Sequence, residues 1–175
     1  MWPSLIAGAV KDEQSATSDW IDLAPTIQGV RVREVKNVVK SNGDVLCEIF
    51  RRDWRIDDDP VDQVLQVVLN EGAISAWHLH RATTDRLFVG QGLVRIVLYD
   101  DRPDSTTAGL VSQYRFGSVR PALVRIPPGV WHGVQNLSPG VSVLLNLVDA
   151  AYRYEDPDHW RLPDDTDQIP YCFPR

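Results

Sequence analysis

From Val30 to Val148 the chain breaks into short apolar-rich runs, each closed by glycine, proline, asparagine or aspartate, and this punctuation constrains the fold most. Val30-Arg-Val-Arg-Glu-Val35 alternates apolar with polar, Asn42-Gly43-Asp44 marks a hairpin turn, and Val45-Leu-Cys-Glu-Ile-Phe50 continues beyond it. Asp57-Asp58-Asp59-Pro60 reads as a loop and 62–69 as a strand. Gly90-Gln91-Gly92 carries a hairpin signal between 85–89 and 93–99, and further strands fit 111–116, 122–126, 130–137 and 141–148. About ten short strands with little helical periodicity predict an all-β sandwich or barrel. The expected organisation is one domain over 1–175, with 1–26 as an N-terminal arm or short helix. The tail 154–175 holds Trp160, Tyr171 and Phe173, which predict an ordered cap rather than a disordered end.

Two half-motifs sit on these strands. Gly72, His78, His80, Asp85 and Gly92 read G-x5-H-x-H-x4-D-x6-G, and Pro127, Gly129, His132 and Asn136 read P-x-G-x2-H-x3-N. Residues two apart on a strand share a face, so His78 and His80 point together while Trp77 and Leu79 point the other way. Trp131 likewise opposes His132. Three imidazoles and a carboxylate at these spacings suit a divalent ion such as Zn, Mn, Fe, Ni or Cu, held by His78, His80, Asp85 and His132. The same groups also suit a proton-abstracting base. Asp85 has a third use, pairing with Arg81 or Arg86 at the surface.

Composition narrows the partners. The net charge of −6 argues against a general nucleic-acid binder. No apolar run approaches the ~20 residues that span a bilayer, and the first ten residues lack a basic stretch, so the expected location is the cytoplasm. Cys47 and Cys172 form no disulfide framework. Arginine outnumbers lysine 15 to 3, and Arg51-Arg52 is the remaining phosphate candidate, although a solvated charge pair is the favoured reading.

The two half-motifs resemble those of the cupin superfamily, whose fold is a double-stranded β-helix, a jelly-roll barrel. Over roughly residues 27 to 171 the chain also resembles the dTDP-4-dehydrorhamnose 3,5-epimerases, through Trp77-His78-Leu79-His80, Gly92, Asp100-Asp101-Arg102, 126–134 and the closing 164–171. The resemblance implies a base at His80 with Asp164 as its carboxylate partner, and substrate contacts from His132 and the retained Glu48. It also implies a nucleotide-sugar substrate, a homodimer and no organic cofactor.

Four family positions depart. Arginine gives way to Trp77, lysine to Asp85, the acid tyrosine to Asn146 and a phosphate-binding arginine to Gly43. Tyr152 or Tyr154 could replace the missing acid, and each could equally be packing in the barrel mouth. His78 and Asp85 appear where two metal-ligand positions would lie, so a divalent ion could take over the lost cations' work of polarising a carbonyl. Three readings follow: a sugar-nucleotide epimerase or isomerase, a metal-dependent cupin (a small-molecule dioxygenase or isomerase), and a sugar-binding cupin without catalysis.

Overall fold

The structure, a computed structural model, describes residues 6–19 and 22–175. Twelve strands run β1 (Arg31–Glu34), β2 (Asn37–Val39), β3 (Val45–Cys47), β4 (Gln63–Leu69), β5 (Ile74–Leu79), β6 (Asp85–Gln91), β7 (Leu93–Asp100), β8 (Val111–Gly117), β9 (Ala122–Ile126), β10 (Val130–Asn136), β11 (Ser142–Val148) and β12 (Trp160–Arg161). Two five-stranded antiparallel sheets face each other, in the orders β1-β9-β6-β11-β4 and β12-β5-β10-β7-β8, and β2 and β3 form a separate hairpin. This is the jelly roll expected from the strand pattern. Among the described residues there is no α-helix, and no helix is long and apolar enough to cross a membrane. Of the N-terminal arm, residues 1–5, 20 and 21 lie outside the described residues; in the remainder, Ala16 bridges Asp22 and no helix forms.

The hairpin at Asn42-Gly43-Asp44 forms as read, with Gly43 at φ 88° and the Lys40 amide donating to the Asp44 carbonyl at 2.8 Å. The turn at Gly92 does not close a hairpin. β6 pairs with β9 and β11 while β7 pairs with β8 and β10, so Gly92 (φ 81°) carries the chain from one sheet to the other. Only burial of the two faces against each other reveals that crossing, because a turn residue looks the same in either setting.

Between the sheets, Leu87, Val89, Val94, Ile96, Leu98, Phe116 and Val124 fill one end of the barrel. Both outer faces are covered as well. Loop residues Ile56, Phe50 and Trp54 pack on Phe88, Leu123 and Leu147. There Arg86, fully buried, clasps Asp57 through two hydrogen bonds of 2.9 and 2.6 Å and reaches the Asp59 carbonyl at 3.2 Å. On the other side, C-terminal residues Ile169, Tyr171 and Phe173 cover Trp77 and Val97.

This back packing shapes the site strand. The β10–β5 register shifts between His132 and Val134, which face His78 and Ser75, so β5 carries one extra residue there. Ala76 and Trp77 both join the outer cluster, opposite Gly133. A Cβ at Gly133 would lie 2.4 Å from the Ala76 methyl and 2.9 Å from the Phe173 ring, so this glycine makes room for the bulge and the cap.

Candidate active site

The unfilled end of the barrel is a cavity of about 480 Å³. Its walls are apolar where β4, β6 and β11 contribute Leu65, Val67, Leu87 and Leu144. Its floor is polar, because all four histidines of the chain converge there. β5 supplies His78, with His80 one residue past its end, β10 supplies His132 directly opposite His78, and β6 supplies Asp85. The fourth, His159, comes from the strap between β11 and β12.

Hydrogen bonding assigns the tautomers. The Nδ1 of His80 lies against the Asp158 carbonyl and that of His132 lies 3.3 Å from the Val130 carbonyl. A carbonyl only accepts, so each Nδ1 carries the hydrogen and each neutral imidazole keeps its lone pair on Nε2. Both Nε2 atoms then face the same Asp85 oxygen at 3.3 Å. The other Asp85 oxygen accepts from the Asn146 amide at 2.6 Å, and the residue is 1% exposed. Three electron-rich atoms thus meet in a buried space, and they are stable together only with something positive among them, a proton or a metal ion. Burial holds His132 below the usual imidazole value, with Asp85 opposing that shift.

His78 stands apart from this trio. Its Nε2 is 3.0 Å from the Ser75 hydroxyl and its Nδ1 is 2.7 Å from His159 Nε2. Burial, followed by the neighbouring His132 and Arg161, lowers its pKa to about 3, so it is neutral at ordinary pH. Of the four ligands read from sequence, His80, Asp85 and His132 come within 4.8 Å of one another, and His78 is engaged elsewhere.

Two other expectations are corrected. Asp164 bonds Arg175 at 3.1 Å, and the carboxylate facing His80 is Asp85. Glu48 is exposed and pairs with Arg51 at 3.0 Å, away from the cavity walls. Nor does Asp85 pair with Arg86, which points to the opposite face of β6 and holds Asp57. Of Tyr152 and Tyr154, Tyr152 lines the cavity.

The strap spanning 149–161 was missed as part of the site. The Asp158 carboxylate accepts from the Arg81 and Ala82 amides at 2.8 Å and from the Thr83 amide at 3.1 Å. Burial raises its pKa, but these bonds prevail and keep it below the ordinary carboxylate value. The strap is also tied by the Ala151 amide to Asp62 and the Tyr152 amide to Gln63, each at 2.8 Å. It thereby holds the His159 ring 4.9 Å from His78 and 5.0 Å from His80. The signal available was bare: a fourth histidine, next to an aspartate, in a tail with no periodicity.

A jelly roll with histidines and one buried carboxylate gathered at its open end has the architecture of a cupin, with groups of the kind that move protons or could hold a metal ion. No protein-family model matches the chain. The probable low-salt glycan biosynthesis epimerase of Haloferax volcanii is 35% identical over 144 residues, covering 81% of this chain and 90% of that protein. The spore coat polysaccharide biosynthesis protein SpsL of Bacillus subtilis is 35% identical over 146 residues, covering 82% and 93%. Among solved structures, a dTDP sugar isomerase from Desulfovibrio desulfuricans superposes with a TM-score of 0.76 at 25% identity, over 83% of this chain and 90% of that one. ChmJ, a 3'-monoepimerase from Streptomyces bikiniensis in complex with dTDP-quinovose, shares the fold at a TM-score of 0.75 and 20% identity, over 86% and 77%. The chain belongs to the RmlC-like family of sugar epimerases within the cupins, a family of isomerases.

Proposed function

We propose that this protein epimerises a nucleotide-linked keto-sugar by removing and returning a proton on the carbon beside the carbonyl. The observation that carries the reading is His80, whose Nδ1–H is pinned by the Asp158 carbonyl while its Nε2 sits 3.3 Å from buried Asp85. An imidazole fixed this way accepts a proton at Nε2, and the carboxylate stabilises the imidazolium that results. The carbon–hydrogen electron pair moves to the carbonyl oxygen as an enolate, and reprotonation from the other face inverts the centre, with no net oxidation. The phenol at Tyr152 is the tyrosine available to return that proton. The names of the relatives, which include a dTDP sugar isomerase, support a nucleotide-sugar substrate. In deuterated buffer, dTDP-linked 4-keto-6-deoxy sugars should gain deuterium beside the ketone, and His80→Asn should abolish the gain. Absence of exchange across thymidine, uridine and guanosine diphosphate keto-sugars would overturn the proposal.

A second reading has its own support. Donor atoms about 2.0–2.2 Å from a common tetrahedral ion lie roughly 3.3–3.6 Å apart, which fits the 3.3 Å that separates the Asp85 oxygen from each Nε2. His80, Asp85 and His132 would hold a divalent ion, which when bound would polarise the substrate carbonyl. Elemental analysis of the purified protein decides it: about one equivalent of metal lost in His132→Ala supports the ion, and none in the wild type removes it.

A homodimer is part of the proposal. Edge strand β4 exposes Val64 and Val68, and the β2–β3 hairpin exposes Val38, Val39, Val45 and Leu46, apolar surface of the kind a partner copy covers. Light scattering giving a monomer mass would remove that element.

A further inference from the structure

The resemblance implies a phosphate-binding arginine where this chain has Gly43 and a further arginine where it has Trp77, and Trp77 is fully buried behind β5. Arg51 does not compensate. Its guanidinium is occupied by Asp53 at 2.7 Å and Glu48 at 3.0 Å, and neither Arg51 nor Arg52 lines the cavity. A diphosphate entering the cavity therefore needs another cationic partner.

Two arginines on the cavity wall meet that need, and both belong to the strap. Arg161, on β12, lies across from His78 in the β5 register and makes no ion pair among the described residues. Arg153 lines the same cavity, and its ion pair is one exposed contact of 3.3 Å with Asp156. The carboxylates nearest the cavity floor are already committed: Asp158 to three backbone amides, Asp85 to Asn146 and two imidazoles. With a net charge of −6, the protein's overall charge does not account for two guanidinium groups on this cavity wall.

We infer that Arg161 and Arg153 form the diphosphate subsite, so that the strap, and not the β2–β3 region, grips the nucleotide end of the substrate. This rests on the proposed keto-sugar reading for the identity of the ligand. Guanidinium forks match phosphate oxygens in pairs, and an arginine without a carboxylate partner gives up no existing bond to make them. The placement also orders the substrate. With the diphosphate at Arg161, a sugar attached to it reaches toward His80 and Asp85 past His78 and His159.

The test uses the full chain and thymidine diphosphate as probe, titrated by calorimetry at several salt concentrations. Arg161→Gln and Arg153→Gln should each weaken binding about 10- to 100-fold and flatten its salt dependence. Arg161→Lys should retain part of the affinity and Arg51→Gln all of it. Thermal melts establish that each variant is folded; Arg153→Gln and Arg161→Lys carry the test if Arg161→Gln is not. Wild-type affinity in the double glutamine variant, an equal loss in Arg51→Gln, or no binding of thymidine, uridine or guanosine diphosphate by the wild type would overturn the subsite. Binding that depends on Arg161 without deuterium exchange would leave the subsite standing and remove the epimerase reading. Exchange that is indifferent to both arginines would do the reverse.

Discussion

Replacing Asp57 with alanine should be the most damaging single change outside the cavity. Arg86 is fully buried, and Asp57, 8% exposed at its side chain, is the carboxylate that balances its charge. The remaining partners, carbonyls of Pro60, Leu147 and Asp59 at 3.2–3.4 Å, accept hydrogen bonds but bring no negative charge. Removing one member of such a pair strands the other, at a cost of about 3–5 kcal/mol. For a domain of this size each kcal/mol moves the melting temperature by roughly 2–4 °C, so Asp57→Ala should melt about 6–20 °C lower. Arg86→Met removes the buried charge itself, and in the Asp57→Ala background it should recover part of the loss. Circular dichroism melts and urea titrations of the three variants measure the cycle. A cost below about 1 kcal/mol for Asp57→Ala, typical of a surface site, would refute the reasoning. So would a double variant with the two single losses simply added.

Three further outcomes follow from the geometry. Asp85→Asn keeps an acceptor for the Asn146 amide but removes the charge facing both imidazoles, so deuterium exchange should fall about 10²- to 10⁴-fold with little change in melting temperature. Gly133→Ala should cost about 1–3 kcal/mol in urea denaturation, since the added methyl meets Ala76 and Phe173 at less than van der Waals distance. Acid should weaken the fold through His78, whose pKa is about 3 in the folded state against about 6.5 unfolded. The unfolded chain takes up the proton first, so stability is full above pH 6.5 and is lost as pH falls toward 3. Between pH 7 and 5 this amounts to about 1–2 kcal/mol, allowing for solvent access to the half-buried ring, and His78→Gln should show that much less pH dependence in its melting curve.

The strand pattern made the barrel legible, because alternation and turn residues are local properties that survive in a bare sequence. The convergence of His80 and His132 was legible for the same reason, through strand parity and the spacing of the two half-motifs. Asp85 was found as a member of the site, although its neighbour Arg86 offered a plausible local pairing that the other face of β6 forecloses. His78 was over-read. Parity places it on the cavity side, but the bulge at Ala76–Trp77 and the approach of His159 turn its nitrogens toward other partners. Asp164 was placed at His80 by motif order alone, whereas in the structure it bonds Arg175 and the carboxylate facing His80 is Asp85. Aperiodic segments such as the strap offer no rule for which side chain meets which strand; their geometry is set by amide groups at 81–83 that any sequence would possess.

The C-terminal segment treats β5 as a rail held from both sides. It grips the cavity face through Asp158 and His159, runs along the edge as β12, and returns to the back to press Ile169 and Phe173 onto Trp77. A rail clamped in this way cannot release one side while the other stays seated, since the same residues link the two grips. Opening over 149–175 should then be cooperative, as a unit smaller than the barrel and dependent on it. On warming, such a protein loses turnover at the temperature where that unit detaches, while most of its strands still stand. Its working range should then follow the hold on one strand and not the stability of the whole.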